Sequence, residues 1–349
     1  MSPSTVLVTG ASRFLGGELA ARLAADSTID RVLAVDTVPP RPERSRRLGR
    51  AEFIAVDLRN PVIAKVISDA HVDTVVHAST SAYPRASGGL NPGRSAMKEL
   101  NVIGTMQLLA ACQRSTTVSR LVVKSTAAVY GLSWRDQAIF TERDEPNEIP
   151  ASGYAKDAVE VEGYIRGFSR RRADVDVTVL RFTNVIGPRV DTALTRYFAL
   201  RIVPTVLGYD GRLQLMHEED ALAVLEQATR ARLPGVFNVA GDGVLLVSQA
   251  IRRAGAISVP IPGPAVGAVA RLLRGAGLVD YSPEQVRLLN IGRVIDTTAL
   301  RADFGFTPRW TTAQAFDDYR SGRALRPTID PEWVVAAQRC VLGFAARLR

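Results

Sequence analysis

A short β-branched run, Val6-Leu7-Val8-Thr9, breaks into the turn Gly10-Ala11-Ser12-Arg13-Phe14-Leu15-Gly16-Gly17, and a helical pattern runs from Phe14 to Ala25. A second run, Arg31-Val32-Leu33-Ala34-Val35-Asp36, follows and ends on an acid. Continuous apolar strands of this length are buried on both faces, which calls for a parallel sheet with helices above and below. Strand, tight turn, helix, strand and terminal acid, in that order, form a stronger signal than a glycine motif alone.

The alternation continues down the chain. Glu52 to Val56, Thr74 to His77, Ser119 to Ser125 and Asp176 to Phe182 carry the strand signal, and Pro61 to Ser68, Ser95 to Arg114 and Tyr154 to Arg172 the helical one. The fold class is α/β: a doubly wound, Rossmann-like parallel sheet with a smaller, mainly helical C-terminal substrate lobe. After residue 182 the pattern breaks, and Pro188, Pro204, Gly208 and Gly211 punctuate short elements. Residues 1–182 are assigned to the dinucleotide-binding domain, with later returns near 213–240 from a helix at Glu218 to Arg232 and a strand at Val236 to Ala240. Residues 183–349 are mostly the lobe and a C-terminal tail, and Pro260 to Pro264 opens a looser, largely helical region.

The first turn has a chemistry of its own. Its backbone N–H groups and the helix N-terminus suit a pyrophosphate. Asp36 at the end of the second strand can accept hydrogen bonds from an adenosine ribose diol. Its carboxylate repels a 2′-phosphate, which favours NAD; Arg13 and the arginines between Arg41 and Arg50 keep NADP as the alternative. A structural turn with no ligand is the bland reading.

Composition excludes several classes. With 46% hydrophobic and 23% charged residues, the chain is an ordinary globular one, not disordered, collagenous or coiled coil. A net charge of +9 invites a nucleic-acid reading, but only four of the 44 basic residues are lysine (Lys65, Lys98, Lys124, Lys156). Arginine-rich, lysine-poor usage reflects a GC-rich genome, and no recognition module or basic-aromatic stripe is present. The run Arg41 to Arg50 reads as a solvated loop. Two cysteines, Cys112 and Cys340, fit a reduced cytoplasm. No secretory leader is visible, and the longest apolar stretch, Val259 to Ala270, is too short to span a bilayer. The three histidines, His71, His77 and His217, are too scattered for a metal site, and none is expected. Basic amphipathic patches at Arg271 to Arg274 and Trp333 to Arg349 read as packing surfaces.

Several ordered motifs together resemble the extended short-chain dehydrogenase/reductases, specifically the NAD-dependent epimerase/dehydratase group. They are Thr9 to Gly16, Asp57-Leu58, His77-Ala78, Asn101-Val102-Ile103-Gly104-Thr105, Ser125 to Gly131, Leu180 to Arg189, His217 to Ala221 and Phe237-Asn238-Val239. The resemblance implies an NAD-dependent epimerase acting on a nucleotide sugar, or a dehydrogenase acting on a sugar, steroid-like or other lipid hydroxyl. A nucleotide-binding protein with little turnover is the reading from another class. The cofactor would lie on Gly10, Ser12, Arg13, Phe14, Leu15, Gly16, Asp36, Asp57, Leu58, His77, Ala78 and Asn101. Thr126 would orient the substrate hydroxyl and Tyr154 would exchange its proton. Asn184, Arg189 and Arg212 would contact the substrate, with Arg212 one place before the usual register, which holds Leu213. A homodimer pairing through Ser95 to Arg114 and Tyr154 to Arg172 is implied as well.

The departures from the pattern are specific. The family's lysine four residues after its tyrosine is Ala158 here, and Lys156 stands two residues after Tyr154. Residues two apart on a helix point to nearly opposite sides, so Lys156 serves only if the helix starts late or irregularly. Position 13, a glycine in the extended pattern, is Arg, and the acid pair of the dehydratases is Ala127-Ala128, which argues against dehydration.

Overall fold

A computed structural model describes residues 3–80, 94–148, 150, 153–269 and 283–325. Six strands, Thr5–Thr9 (β1), Arg31–Asp36 (β2), Glu52–Ala55 (β3), Thr74–His77 (β4), Arg120–Thr126 (β5) and Asp176–Phe182 (β6), join the strand Gly235–Val239 in one seven-stranded sheet. The order is Gly235–Val239, β6, β5, β4, β1, β2, β3, and every neighbouring pair is parallel. The order reverses at β1, which pairs with both β2 and β4. In open α/β sheets, ligands bind outside the carboxyl ends of the strands at such a switch point.

The helices of this half are Phe14–Ala25 (α1), Pro42–Arg47 (α2), Val62–Asp69 (α3), Arg94–Lys98 (α4), Gly104–Arg114 (α5) and Gly153–Arg171 (α6). Side chains alternate across a strand. Leu7, Leu33, Val75, Leu121 and Val123 therefore reach one face, where they pack against Ile63, Ile67, Leu108, Ile165 and Phe168. Each such side chain contributes about 1.5–3 kcal/mol by leaving water. The other face meets α1 and the helix Glu218–Arg230. Cys112 lies in the first core, where burial pushes its thiol up to about 12, so it behaves as a small apolar residue. Cys340 and both basic amphipathic patches lie outside the described residues.

The arginine run is not a simple loop. Pro42 opens α2, because its missing N–H costs nothing at a helix start. Arg50 then donates to the carbonyls of Ile29 and Asp30 beyond the end of α1. Pro260 differs from expectation too. It sits inside the strand Ile257–Ile261, which pairs in parallel with Ile202–Val206 and its Pro204. A two-stranded pair is all edge, and edges tolerate proline.

The chain divides into two compact units: Met1–Val185 with Glu218–Ala240 and Ile295–Arg309, and Ile186–His217 with Gly241–Val294 and Trp310–Arg349. The second unit has its own core, in which Leu194, Tyr197, Phe198, Leu215, Phe316 and Tyr319 are buried. Its helix Ala193–Phe198 starts on a reciprocal cap between Thr192 and Thr195. His217 stacks on Trp310 with ring centres 4.2 Å apart, and its Nε2 lies 3.0 Å from Asp318 Oδ2. No helix among the described residues is long and apolar enough to cross a membrane.

Candidate active site

The crevice at the end of β1 is built from backbone. Gly10 has φ +76°, and a Cβ there would lie 2.8 Å from Ser79 Cα. A Cβ on Gly16 would collide with the carbonyl oxygen of Gly10, and one on Gly17 would stand 2.5 Å from Ala11 O. These positions let α1 start directly against the strand end, and the Arg13 side chain at its N-cap makes no capping hydrogen bond. Arg13 replaces the family's glycine without strain, because its backbone is extended at φ −90° and ψ 164°. A cradle that Cβ atoms would fill, at the start of a helix, fits a dinucleotide pyrophosphate.

Asp36 holds the turn from β2. Its carboxylate accepts from Ser12 N at 3.0 Å and from Thr37 N at 2.8 Å. Arg44 of α2 approaches the same turn, donating to Ser12 O at 3.4 Å and lying 6.0 Å from the centre of the Phe14 ring. Asp57 is paired with Arg59, whose side-chain hydrogen bonds hold its carboxyl below the usual range. Leu58 is buried in the core. His77 has its ring between Thr9 Oγ1 at 3.0 Å and Thr105 Oγ1 at 2.9 Å. Burial, helped by Lys124, lowers its pKa to about 4, so the ring is neutral and ties β1, β4 and α5 together. Ala78 N donates to Thr9 Oγ1, and its carbonyl group lies against Gly10, 3.0 Å from where a Cβ there would stand.

A narrow cleft lies beside this crevice at the end of β5. Thr80, Asn101, Lys124, Thr126, Tyr154 and Asp157 line it, with Ala158 and Val161. Tyr154, Asp157, Ala158 and Val161 are the i, i+3, i+4 and i+7 positions of one face of α6. Since α6 is helical from Gly153, Lys156 is turned ~200° from Tyr154 and does not line the cleft. The structure thus joins Thr126 to Tyr154 and leaves Lys156 apart. Asn101 arrives on a π-helical turn, Glu99–Ile103, between α4 and α5, and its Nδ2 donates to Asp157 Oδ2 at 3.4 Å. Such bulges recur at functional sites.

Buried polar contacts fix the geometry of β5 and α6. Thr126 Oγ1 accepts from Ala128 N at 3.2 Å and starts the 3₁₀ turn Ala127–Tyr130. Ser125 Oγ donates to Glu162 Oε1 at 2.5 Å, and Arg181 of β6 clamps Glu162 and donates to the Tyr130 hydroxyl at 2.8 Å. Burial pushes Tyr130 up to about 12, so it stays a neutral phenol. Strand and helix therefore carry Thr126 and Tyr154 as one rigid pair.

Sequence reasoning passed over Lys124 and Asp157. Period-two alternation was the available signal for Lys124: it shares a strand face with Thr126. Asn184 lies in the strand Asn184–Ile186 of the first unit's margin. Arg189 and Arg212 belong to the second unit. There Leu213 is buried in the core, so the neighbouring Arg212 points to the opposite side of its strand.

A Rossmann-like sheet with a glycine turn at its switch point and a Thr–Tyr cleft at the end of β5 is that of an extended short-chain dehydrogenase/reductase. The chain belongs to the NAD dependent epimerase/dehydratase family, whose model matches residues 6–240. An uncharacterized protein of Mycobacterium tuberculosis (strain ATCC 25618 / H37Rv) is 51% identical over 345 residues, 99% of this chain and 91% of that protein. The probable UDP-arabinose 4-epimerase 3 of Oryza sativa subsp. japonica is 29% identical over 195 residues, 52% of this chain and 45% of that protein. Among solved structures, the UDP-glucose 4-epimerase of Thermotoga maritima with UDP-glucose superposes with a TM-score of 0.70 at 18% identity, covering 91% of this chain and 98% of that one. MoeE5 in complex with UDP-glucose and NAD gives 0.63 at 25% identity, covering 96% and 100%.

Proposed function

We propose that the protein is an NAD-dependent epimerase of a nucleotide sugar, working by transient oxidation of a ring hydroxyl. One observation carries the reading: Thr126 and Tyr154 line a single cleft beside a glycine cradle shaped for a dinucleotide. The Thr126 hydroxyl orients the substrate hydroxyl. The Tyr154 phenolate oxygen takes its proton and returns it when the keto sugar is reduced on the other face. Bound NAD supplies the hydride acceptor and donor for this chemistry. Gly10, Ser12, Gly16 and the start of α1 hold the pyrophosphate, and Asp36 the adenosine ribose.

Mass spectrometry of small molecules released from the purified protein, with turnover assays on a panel of UDP- and dTDP-sugars, tests the reading. Retained NAD and epimer formation without added cofactor are expected. Net oxidation or reduction with stoichiometric cofactor use would replace it with the dehydrogenase reading, and retained NAD without turnover on any sugar with the binding-protein reading.

The same reading extends to assembly and place: a cytoplasmic homodimer pairing through the segments Ser95 to Arg114 and Tyr154 to Arg172. Ile103, Met106 and Tyr164 expose 41–43% of their surface there, whereas Leu108 and Leu109 are used by the core. Light scattering at micromolar concentration should give twice the chain mass, and Met106→Arg should halve it.

A further inference from the structure

The cleft contains a cation that the pattern on α6 does not supply. Ala158 lines the cleft at the position where an amine is expected, and Lys156 is turned away. Lys124 stands two residues before Thr126 on β5 and lines the cleft with Thr126 and Tyr154. Its Nζ donates to Thr80 O at 2.9 Å, and Thr80 Oγ1 donates back to Lys124 O at 2.9 Å. This reciprocal pair fixes the side chain at the cleft wall. Among the described residues no carboxylate lies within ion-pair distance of Nζ, and an ammonium has three donors.

We propose that Lys124 is the cation serving Tyr154, a positioning residue on β5 that takes over the task of the lysine missing from position 158. The inference rests on the reading of Tyr154 as the base. Lys124 keeps its proton throughout; the proton that moves goes from the substrate hydroxyl to the Tyr154 oxygen and back. A fixed positive charge beside a phenol favours the phenolate. The charged and titratable groups around Lys124 are Arg13 before α1, the neutral His77 on β4, and Asp157 and Tyr154 on α6. Desolvation, with Arg13 adding to it, draws the Lys124 ammonium down to about 8. Its help is thus greatest below that value and fades as the pH rises through it.

The test reads Tyr154 directly, as the near-ultraviolet tyrosinate absorbance of the protein minus that of Tyr154→Phe, titrated with and without saturating NAD. In the unaltered protein the Tyr154 midpoint should lie below the ordinary ~10. Lys124→Met should raise it by ~1–2 pH units, and the rising limb of the pH–kcat profile should move the same way. Lys124→Arg should hold the midpoint near its original value. Adding Ala158→Lys to Lys124→Met should bring the midpoint back down, a rescue that loss of packing alone would not give. An unmoved midpoint in Lys124→Met overturns the role of Lys124 while Tyr154→Phe stays inactive. Should Lys124→Met fail to fold, a Tyr154 midpoint at or above ~10 in the unaltered protein overturns it equally. Full activity in Tyr154→Phe would instead overturn the function on which the inference rests.

Discussion

The nucleotide end and the catalytic end stand side by side on the carboxyl edge of one sheet, yet they are built from different materials. At the nucleotide end the working groups are main chain. Gly10 and Gly16 are required because a Cβ on either meets backbone atoms that cannot move aside. At the proposed catalytic end the cleft is lined by side chains, most of them from three elements: β5, the π-helical turn and α6. A site made of backbone has few alternative sequences. A site made of converging side chains can receive the same charge from a different element, which is how Ala158 can coexist with a cation in the cleft.

That contrast is open to attack from either side. Tyr154→Phe should give the largest effect, a ~10²–10⁴-fold loss of kcat, with NAD binding by calorimetry within a few-fold of the original. A parallel loss of NAD binding would mean the two ends are not separable. Gly16→Ala should do the reverse. Overpacking against the Gly10 carbonyl should cost ~1–3 kcal/mol of stability, read as a lower denaturation midpoint, and should weaken NAD far more than it alters the pH dependence of any remaining turnover. Unchanged affinity would show that the turn yields and the backbone argument fails. Asp36→Ala should be mildest: the ratio of NADP to NAD dissociation constants should fall by ~10-fold, equivalent to ~1.4 kcal/mol. A preference for NAD that survives the substitution would show that the Asp36 carboxylate does not set it.

The same contrast explains what the sequence made legible. The βαβ start was readable because its glycines answer local backbone demands and its strands are continuous apolar runs. Thr74 to His77 and Asp176 to Phe182 form strands with the bounds their pattern suggests. Thr126 and Tyr154 were readable as positions in an ordered set of motifs. The proposed cation was not, because the family pattern puts its lysine on the helix that carries Tyr154, whereas Lys124 comes from a strand whose neighbours, Val122 and Val123, are wholly apolar core. A structural role for His77 was legible, but its ring partners were not: Thr9 and Thr105 are far apart in sequence and meet only once the sheet has formed. Pro260 misled because proline punctuates loops far more often than it sits in an edge strand.

The π-helical turn at Glu99–Ile103 makes chain length itself part of the geometry of the cleft. A π turn accommodates one residue more than the α turn it interrupts, and each residue of an α-helix advances the face by ~100°. Removing one codon between Glu99 and Ile103 would leave the composition of the cleft almost untouched. It would also let the helix close its normal ladder and carry the Asn101 amide away from Asp157. An in-frame deletion there should thus resemble loss of the asparagine, although every other chemical group of the site would still be encoded.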